Sequence, residues 1–194
     1  LDGVKLLLER DGTFVFETGY WPAIQSGMLI DTIEHEHIHY FAVEPLLGLF
    51  ARHGLSLFHV EQVPTKGGSL RGYVGHAPKA QDATVAALRQ LEEGLPSLAA
   101  WANHVEGHQA HVQACVVQKV RPGHRERWVG YGAAVGSTLQ CYHFAFGAAL
   151  VALWDDNASR HGLVSPGFHL PVVAPNSSPA DRIVLLAWRY ADRI

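Results

Sequence analysis

Only two cysteines occur in the 194 residues, Cys115 and Cys141, and neither has a second thiol at metal-ligand spacing. That excludes a disulfide framework and a cysteine-built zinc site, and both thiols are expected to be reduced core residues. Basic charge is also scarce: 15 Lys and Arg stand against 18 Asp and Glu, for a net charge of −3. The cations are scattered, so the chain has no electrostatic footprint for nucleic acid. Its longest strongly apolar run, roughly residues 144–154, is too short to span a bilayer, and its start lacks a basic-then-apolar signal pattern. The expectation is therefore a cytoplasmic protein with no nucleic-acid and no membrane partner. Low-complexity tracts and internal repeats are missing as well. What is present, 48% hydrophobic and 17% charged residues, describes one or two folded domains rather than a disordered chain.

The densest chemistry lies in Asp31-Thr-Ile-Glu-His-Glu-His-Ile-His-Tyr-Phe41, where three histidines and two glutamates fall within six residues. As a strand, the segment places His35, His37 and His39 on one face and Glu34 and Glu36 on the other. As a helix, only His35 and His39 share a face. Acid–base chemistry or a metal set of His35, His37 and His39 are the two readings this density allows.

Around that segment the chain alternates helix and strand. Residues 4–8 read as the last turns of a helix, and residues 13–17 as a strand after an Asp-Gly turn. Residues 43–53 form an amphipathic helix ending at Gly54. Residues 55–63 and 69–74 are two strands joined by Pro64-Thr-Lys-Gly-Gly68, short enough for an antiparallel pair. Residues 82–117 have helical period with an interruption at Gly94 and Pro96 and an apolar stripe of Leu98, Trp101, Val105, His108 and Val112, and carry His104, His108 and His111 on a face that reads as packed or solvated. A strand at 127–131 runs into Gly130-Tyr-Gly-Ala-Ala-Val-Gly136 and a helix to about residue 148. A strand at 149–154 follows and ends in Asp155-Asp156-Asn157. Such a glycine turn lets backbone N–H groups approach a phosphate, and an acid after the second strand suits a ribose hydroxyl. A tight packing turn is the alternative, because Gly-x-Gly-x-x-x-Gly is not the dinucleotide pattern. Residues 183–188 read as a buried strand and 189–194 as the start of another helix. Both ends look cut, which suggests a piece of a longer polypeptide.

The run Asp31-Thr-Ile-Glu-His-Glu-His, Tyr40-Phe41, Arg52-His-Gly-Leu55 and Gly67-Gly-Ser-Leu-Arg71 resembles the second half of the methyltransferase domain of sugar C-methyltransferases. Further on, Gly130-Tyr-Gly-Ala133, Asp156-Asn157, Pro166-Gly167, His169, Pro171 and Leu185-Leu-Ala-Trp188 resemble that family's C-terminal Rossmann-like domain. The resemblance implies an α/β chain: a partial class I methyltransferase sheet with an antiparallel edge (residues 1–78), a helical connector (79–120) and a truncated Rossmann-like domain (121–194). It further implies S-adenosylmethionine as cofactor, its pocket mostly in a missing N-terminal half, and a nucleotide-linked 4-keto deoxysugar as substrate. In such enzymes a base removes the proton beside the ketone and the enolate attacks the methyl group. By that resemblance His37 is the base, with Glu36 and Glu34 beside it in the active site. Ser69, Arg71, Tyr131, Gly132 and Asp156 are the substrate-binding candidates.

Two departures accompany the resemblance. Glu34 stands where the family carries a tyrosine, and a carboxylate cannot donate to an enolate oxygen unless protonated. The loop Ala133-Ala-Val-Gly136 is one residue shorter than in relatives and lacks their lysine. A noncatalytic sugar-nucleotide-binding module and a metal-dependent enzyme are the competing readings, and the 194 residues alone are expected to be inactive.

Overall fold

The computed structural model describes residues 1–119 and 126–194, and the chain divides into two units. The first comprises Leu1–Leu29 and His35–Leu98; the second comprises Ile30–Glu34 and Ala99–Ile194. The architecture is mixed α/β, with an antiparallel sheet in the first unit and a parallel sheet in the second.

In the first unit α1 (Asp2–Leu7) leads to β1 (Phe14–Gly19) and to α2 (Trp21–Ser26), whose Pro22 occupies the first turn, where a missing N–H costs nothing. Next come α3 (Val43–Arg52), β2 (Leu55–Val63), β3 (Ser69–His76) and α4 (Ala83–Glu93). The sheet order is β1-β3-β2, antiparallel throughout, so residues 55–63 and 69–76 do make the expected pair. The pairing register shifts between Leu57 and His59, which leaves Phe58 as an extra residue. Such a bulge moves the inward face from odd to even positions, and Leu55, Leu57 and Val60 are all buried. Gly72 of β3 lies under the ring of Phe16, where a Cβ would come 2.4 Å from ring carbons. Val43, Leu46 and Phe50, at helical spacing on α3, close the core with Tyr20, Leu70, Val74 and Val85.

The second unit holds α5 (Leu98–Lys119), β4 (Trp128–Tyr131), α6 (Val135–His143), β5 (Leu150–Trp154), β6 (Val172–Val173) and β7 (Arg182–Leu185). Its sheet order is β6-β5-β4-β7 and all pairs are parallel. Its strands feed two apolar clusters, although Val151 of β5 and Ile183 of β7 remain exposed. Trp128, Leu150, Leu153, Leu186, Cys141 and Phe146 pack in one cluster, Val129, Ala152 and Trp154 in another. The helical stretch after residue 82 is indeed two helices broken near Gly94 and Pro96. On α5, Trp101 and Val105 are buried while His104, His108 and His111 are exposed.

Four local expectations are corrected. Helix α6 ends at His143 rather than near residue 148, because Ala145 turns left-handed (φ 55°) so that Phe146 can enter the core. The last strand stops at Leu185, and residues Trp188–Arg193 form a 3-10 turn. Leu98, first residue of the expected apolar stripe, is 64% exposed. Cys141 is a core residue, whereas Cys115 lies exposed on α5, its Sγ 3.8 Å from His111 Nε2. Among the described residues no helix is long and apolar enough to cross a membrane.

Candidate functional site

The histidine segment is neither strand nor helix. After a 3-10 turn at Ile30–Thr32, residues 33–42 have no regular secondary structure until α3 begins. His35, Glu36, His37 and His39 are exposed and Glu34 is half-buried. The period-two alternation that would align His35, His37 and His39 is therefore absent. Among the described residues no group of three or more His, Cys, Asp or Glu side chains is placed to share a metal ion. His39 stacks on Phe41 at 6.1 Å between ring centroids, a packing role. Phe41 accepts the N–H of Trp21 at 2.8 Å and bridges Tyr20, which ties the end of the segment to the first unit.

Ser69 and Arg71 lie on β3. Ser69 is 4% exposed and its hydroxyl donates to the Thr65 carbonyl at 3.1 Å, bracing the Gly67-Gly68 loop. Arg71 donates to Glu17 at 3.0 Å and lies 3.8 Å from Glu61. Glu61 accepts from Tyr73 at 2.5 Å, a bond that holds its carboxyl below the usual carboxylate range. With two carboxylates beside it, the guanidinium is largely neutralised for a phosphate.

Tyr131, Gly132 and Asp156 do come together. They line a cleft of about 360 Å³ at the carboxyl ends of the parallel strands, with Asp155, Asn157, Arg160, Ala187 and Tyr190. In the order β6-β5-β4-β7 the chain leaves β4 toward β5 and returns to β7 on the other side. Open parallel sheets place ligands at this kind of reversal. Gly132 takes φ +112°, a region that favours glycine, and a Cβ there would lie 2.8 Å from that of Ala187. The Tyr131 hydroxyl donates to Asp156 at 2.9 Å, which raises the phenol above its usual value.

Asp155 occupies one amide of the glycine turn, the Ala133 N–H. It accepts from Ala133 N at 2.7 Å, Asn157 N at 2.8 Å and Arg160 Nη1 at 2.9 Å. Burial alone would raise its pKa, but the two backbone donors and Arg160 outweigh burial and hold the carboxyl low. Asp156 is left as the exposed acid. Arg160 and Tyr190 were missed in the sequence reading; Asp-x-Asn before a short 3-10 turn was the one local signal for Asp155 and its neighbours.

A second cluster also escaped the sequence reading. Asp31, its side chain 4% exposed, accepts from both terminal nitrogens of Arg189 at 2.8 and 2.9 Å and from Trp188 Nε1 at 3.0 Å. These residues lie 158 positions apart, and nothing local in the sequence links them.

With this geometry in place, comparison with known proteins gives the class. The C-methyltransferase C-terminal domain family matches residues 64–194, and the chain belongs to that family. Along its whole length it is 29% identical, over 205 aligned residues, to the C-methyltransferase NovU of Streptomyces niveus. The chain spans 48% of that relative, about half its length.

Proposed function

We propose that the chain is part of an S-adenosylmethionine-dependent C-methyltransferase acting on a nucleotide-linked 4-keto deoxysugar through a base-generated enolate. The observation that carries the reading is the similarity to a C-methyltransferase along the whole chain, a span that includes the exposed Glu36-His37 pair. His37 is the base: its imidazole nitrogen takes the proton from the carbon beside the ketone, and the electron pair left behind delocalises onto the ketone oxygen. Glu36 and Glu34 are its acidic neighbours in the segment. Asp156 and Tyr131 are read as hydrogen-bond partners of the nucleotide's ribose in the cleft, with Gly132 allowing close backbone approach. Arg71 is read as a donor to the sugar, and Ser69 as support for the loop that presents it.

S-adenosylmethionine supplies the methyl group in this reaction class. The residues described do not build its pocket: the first unit's sheet is antiparallel, and the glycine turn of the second unit spends Ala133 N–H on Asp155. We read the 194 residues alone as inactive. The division of the parent chain at residues 78 and 120 belongs to the same proposal.

The test is methyl transfer by the full-length parent from labelled S-adenosylmethionine to a panel of 4-keto deoxysugar nucleotides, beside His37→Ala. Label on a sugar carbon that disappears in the variant supports the reading. Intact nucleotide-sugar binding without transfer by the wild type overturns it in favour of a binding module.

A further inference from the structure

On α5 the residues His104, His108, His111 and Cys115 recur at intervals of four, three and four, which keeps them on one side of the helix. All four are exposed. The histidines alone read as a packed or solvated face, but with the thiol added the face divides. His108 sets its ring edge-on to Phe144, 5.9 Å between centroids. His111 and Cys115 instead meet each other, with Cys115 Sγ 3.8 Å from His111 Nε2. A thiolate and an imidazole nitrogen are both ligands for zinc-class cations, and the spacing between cysteines does not register a mixed pair. With metal–sulfur and metal–nitrogen bonds of about 2.3 and 2.1 Å, two ligand atoms of a tetrahedral site lie about 3.6 Å apart. The observed separation is thus close to the chelating one and needs only a slight side-chain adjustment.

We propose that His111 and Cys115 chelate one divalent cation of the zinc class across a single turn of α5 and so clasp the helix. Cys115 binds as the thiolate, its proton passing to solvent, and His111 binds through Nε2 with the ring proton on Nδ1. Among the described residues no group of three or more His, Cys, Asp or Glu side chains is placed to share an ion. The pair therefore supplies two positions and water the others, which makes an open, exchangeable site rather than a closed structural one. The two ligand atoms are neighbours because the helical turn between them is formed. The ion thus binds the folded helix in preference to the unfolded chain, and by linkage it stabilises that helix. The clasp falls next to a weak point: Gly107 lies one turn before His111, and a Cβ there would meet nothing within 4 Å. Packing does not require that glycine, and in a helix interior it costs conformational entropy. Neither ligand belongs to the cleft or to the histidine segment, so the inference is independent of the proposed reaction.

The experiment titrates the reduced chain with Co²⁺ and Zn²⁺ as wild type, Cys115→Ser, His111→Ala and His104→Ala. Cobalt binding is read from the thiolate-to-metal charge-transfer band, and zinc binding from the alkylation rate of Cys115 and the amide exchange of residues 107–115. In the wild type the cobalt band is expected to saturate at one ion per chain and to disappear when Zn²⁺ is added. Zinc also slows both the alkylation of Cys115 and the amide exchange. Cys115→Ser loses the band, His111→Ala no longer saturates in the wild-type concentration range, and His104→Ala behaves as wild type. All three substituted side chains are exposed, and the unfolding midpoint without metal checks that each variant is folded. No cobalt band in the wild type, with Cys115 alkylation unchanged by zinc, overturns the proposal without recourse to any variant. A band retained in Cys115→Ser, a wild-type titration in His111→Ala, or loss of the band in His104→Ala overturns the assignment to this pair.

Discussion

Glu92 on α4 accepts the Val43 N–H at 2.7 Å, 49 residues away in sequence, and so caps a helix to which it does not belong. The residue at the start of α3 is Ala42, which has no side-chain acceptor for the first-turn amides. Glu92 also takes Glu44 N–H at 3.3 Å and the Tyr20 hydroxyl at 2.9 Å. Burial first, and then this bond, push the Tyr20 phenol well above its usual value. Glu92→Ala is expected to lower stability by about 1–2 kcal/mol, the usual cost of a lost cap, seen as a lower denaturant midpoint at an unchanged slope. An unchanged midpoint would show that water replaces the carboxylate.

Asp155 makes stability depend on pH in a definite direction. Its folded pKa is depressed, so its contribution is fully present above the unfolded value of about 3.9 and is lost as pH falls from there through the lower folded value. Asp155→Asn should cost about 2–3 kcal/mol near neutrality, because the amide group cannot accept from Ala133 N, Asn157 N and Arg160 at once. Unfolding curves of wild type and variant should converge as pH falls through the depressed folded value, and a gap that stays constant throughout the acid titration would refute the assignment.

The two cysteines should differ sharply toward alkylating reagents. Burial raises the Cys141 thiol to about 11, while Cys115 is exposed on α5. At about pH 8, where a thiolate is the reacting species, mass spectrometry of the folded protein should find Cys115 modified and Cys141 intact until denaturant is added. Equal labelling of both would contradict the packing of Cys141 in the parallel-sheet core.

Glu34→Tyr tests the departure from the family pattern. A phenol donates to a developing enolate oxygen at neutral pH, whereas an ionised carboxylate only accepts. In the full-length parent the substitution is expected to raise kcat on a 4-keto sugar nucleotide by on the order of a hundredfold, the scale of a single donor to an oxyanion. A fall in kcat would mean that Glu34 itself takes part in the native reaction.

Much of the fold was legible locally. The hairpin of β2 and β3 follows from two apolar runs joined by Pro64-Thr-Lys-Gly-Gly68, and β4, the glycine turn, α6 and β5 follow from pattern alone. The misses have local causes. Helix α2 is six residues long, and β6 is two residues held by pairing with β5. The end of α6 is set by a left-handed residue, Ala145, in a run that still reads as apolar helix. The site was legible in part: Tyr131, Gly132 and Asp156 share a cleft because they end neighbouring strands, while Ser69 and Arg71 are engaged by Thr65, Glu17 and Glu61.

By itself the sequence determined which side chains are candidates for chemistry, the kind of layer each segment joins and the family likeness, since these rest on residue type and near-neighbour spacing. Only the tertiary structure decided that Asp155 takes the Ala133 amide of the glycine turn, that Glu92 caps α3, and that Asp31 is clamped by Arg189. Each of these joins a charge to partners that must be desolvated together. Such pairings depend on which surfaces meet once the strands and helices have packed, and no period within the chain encodes a meeting 49 or 158 residues away.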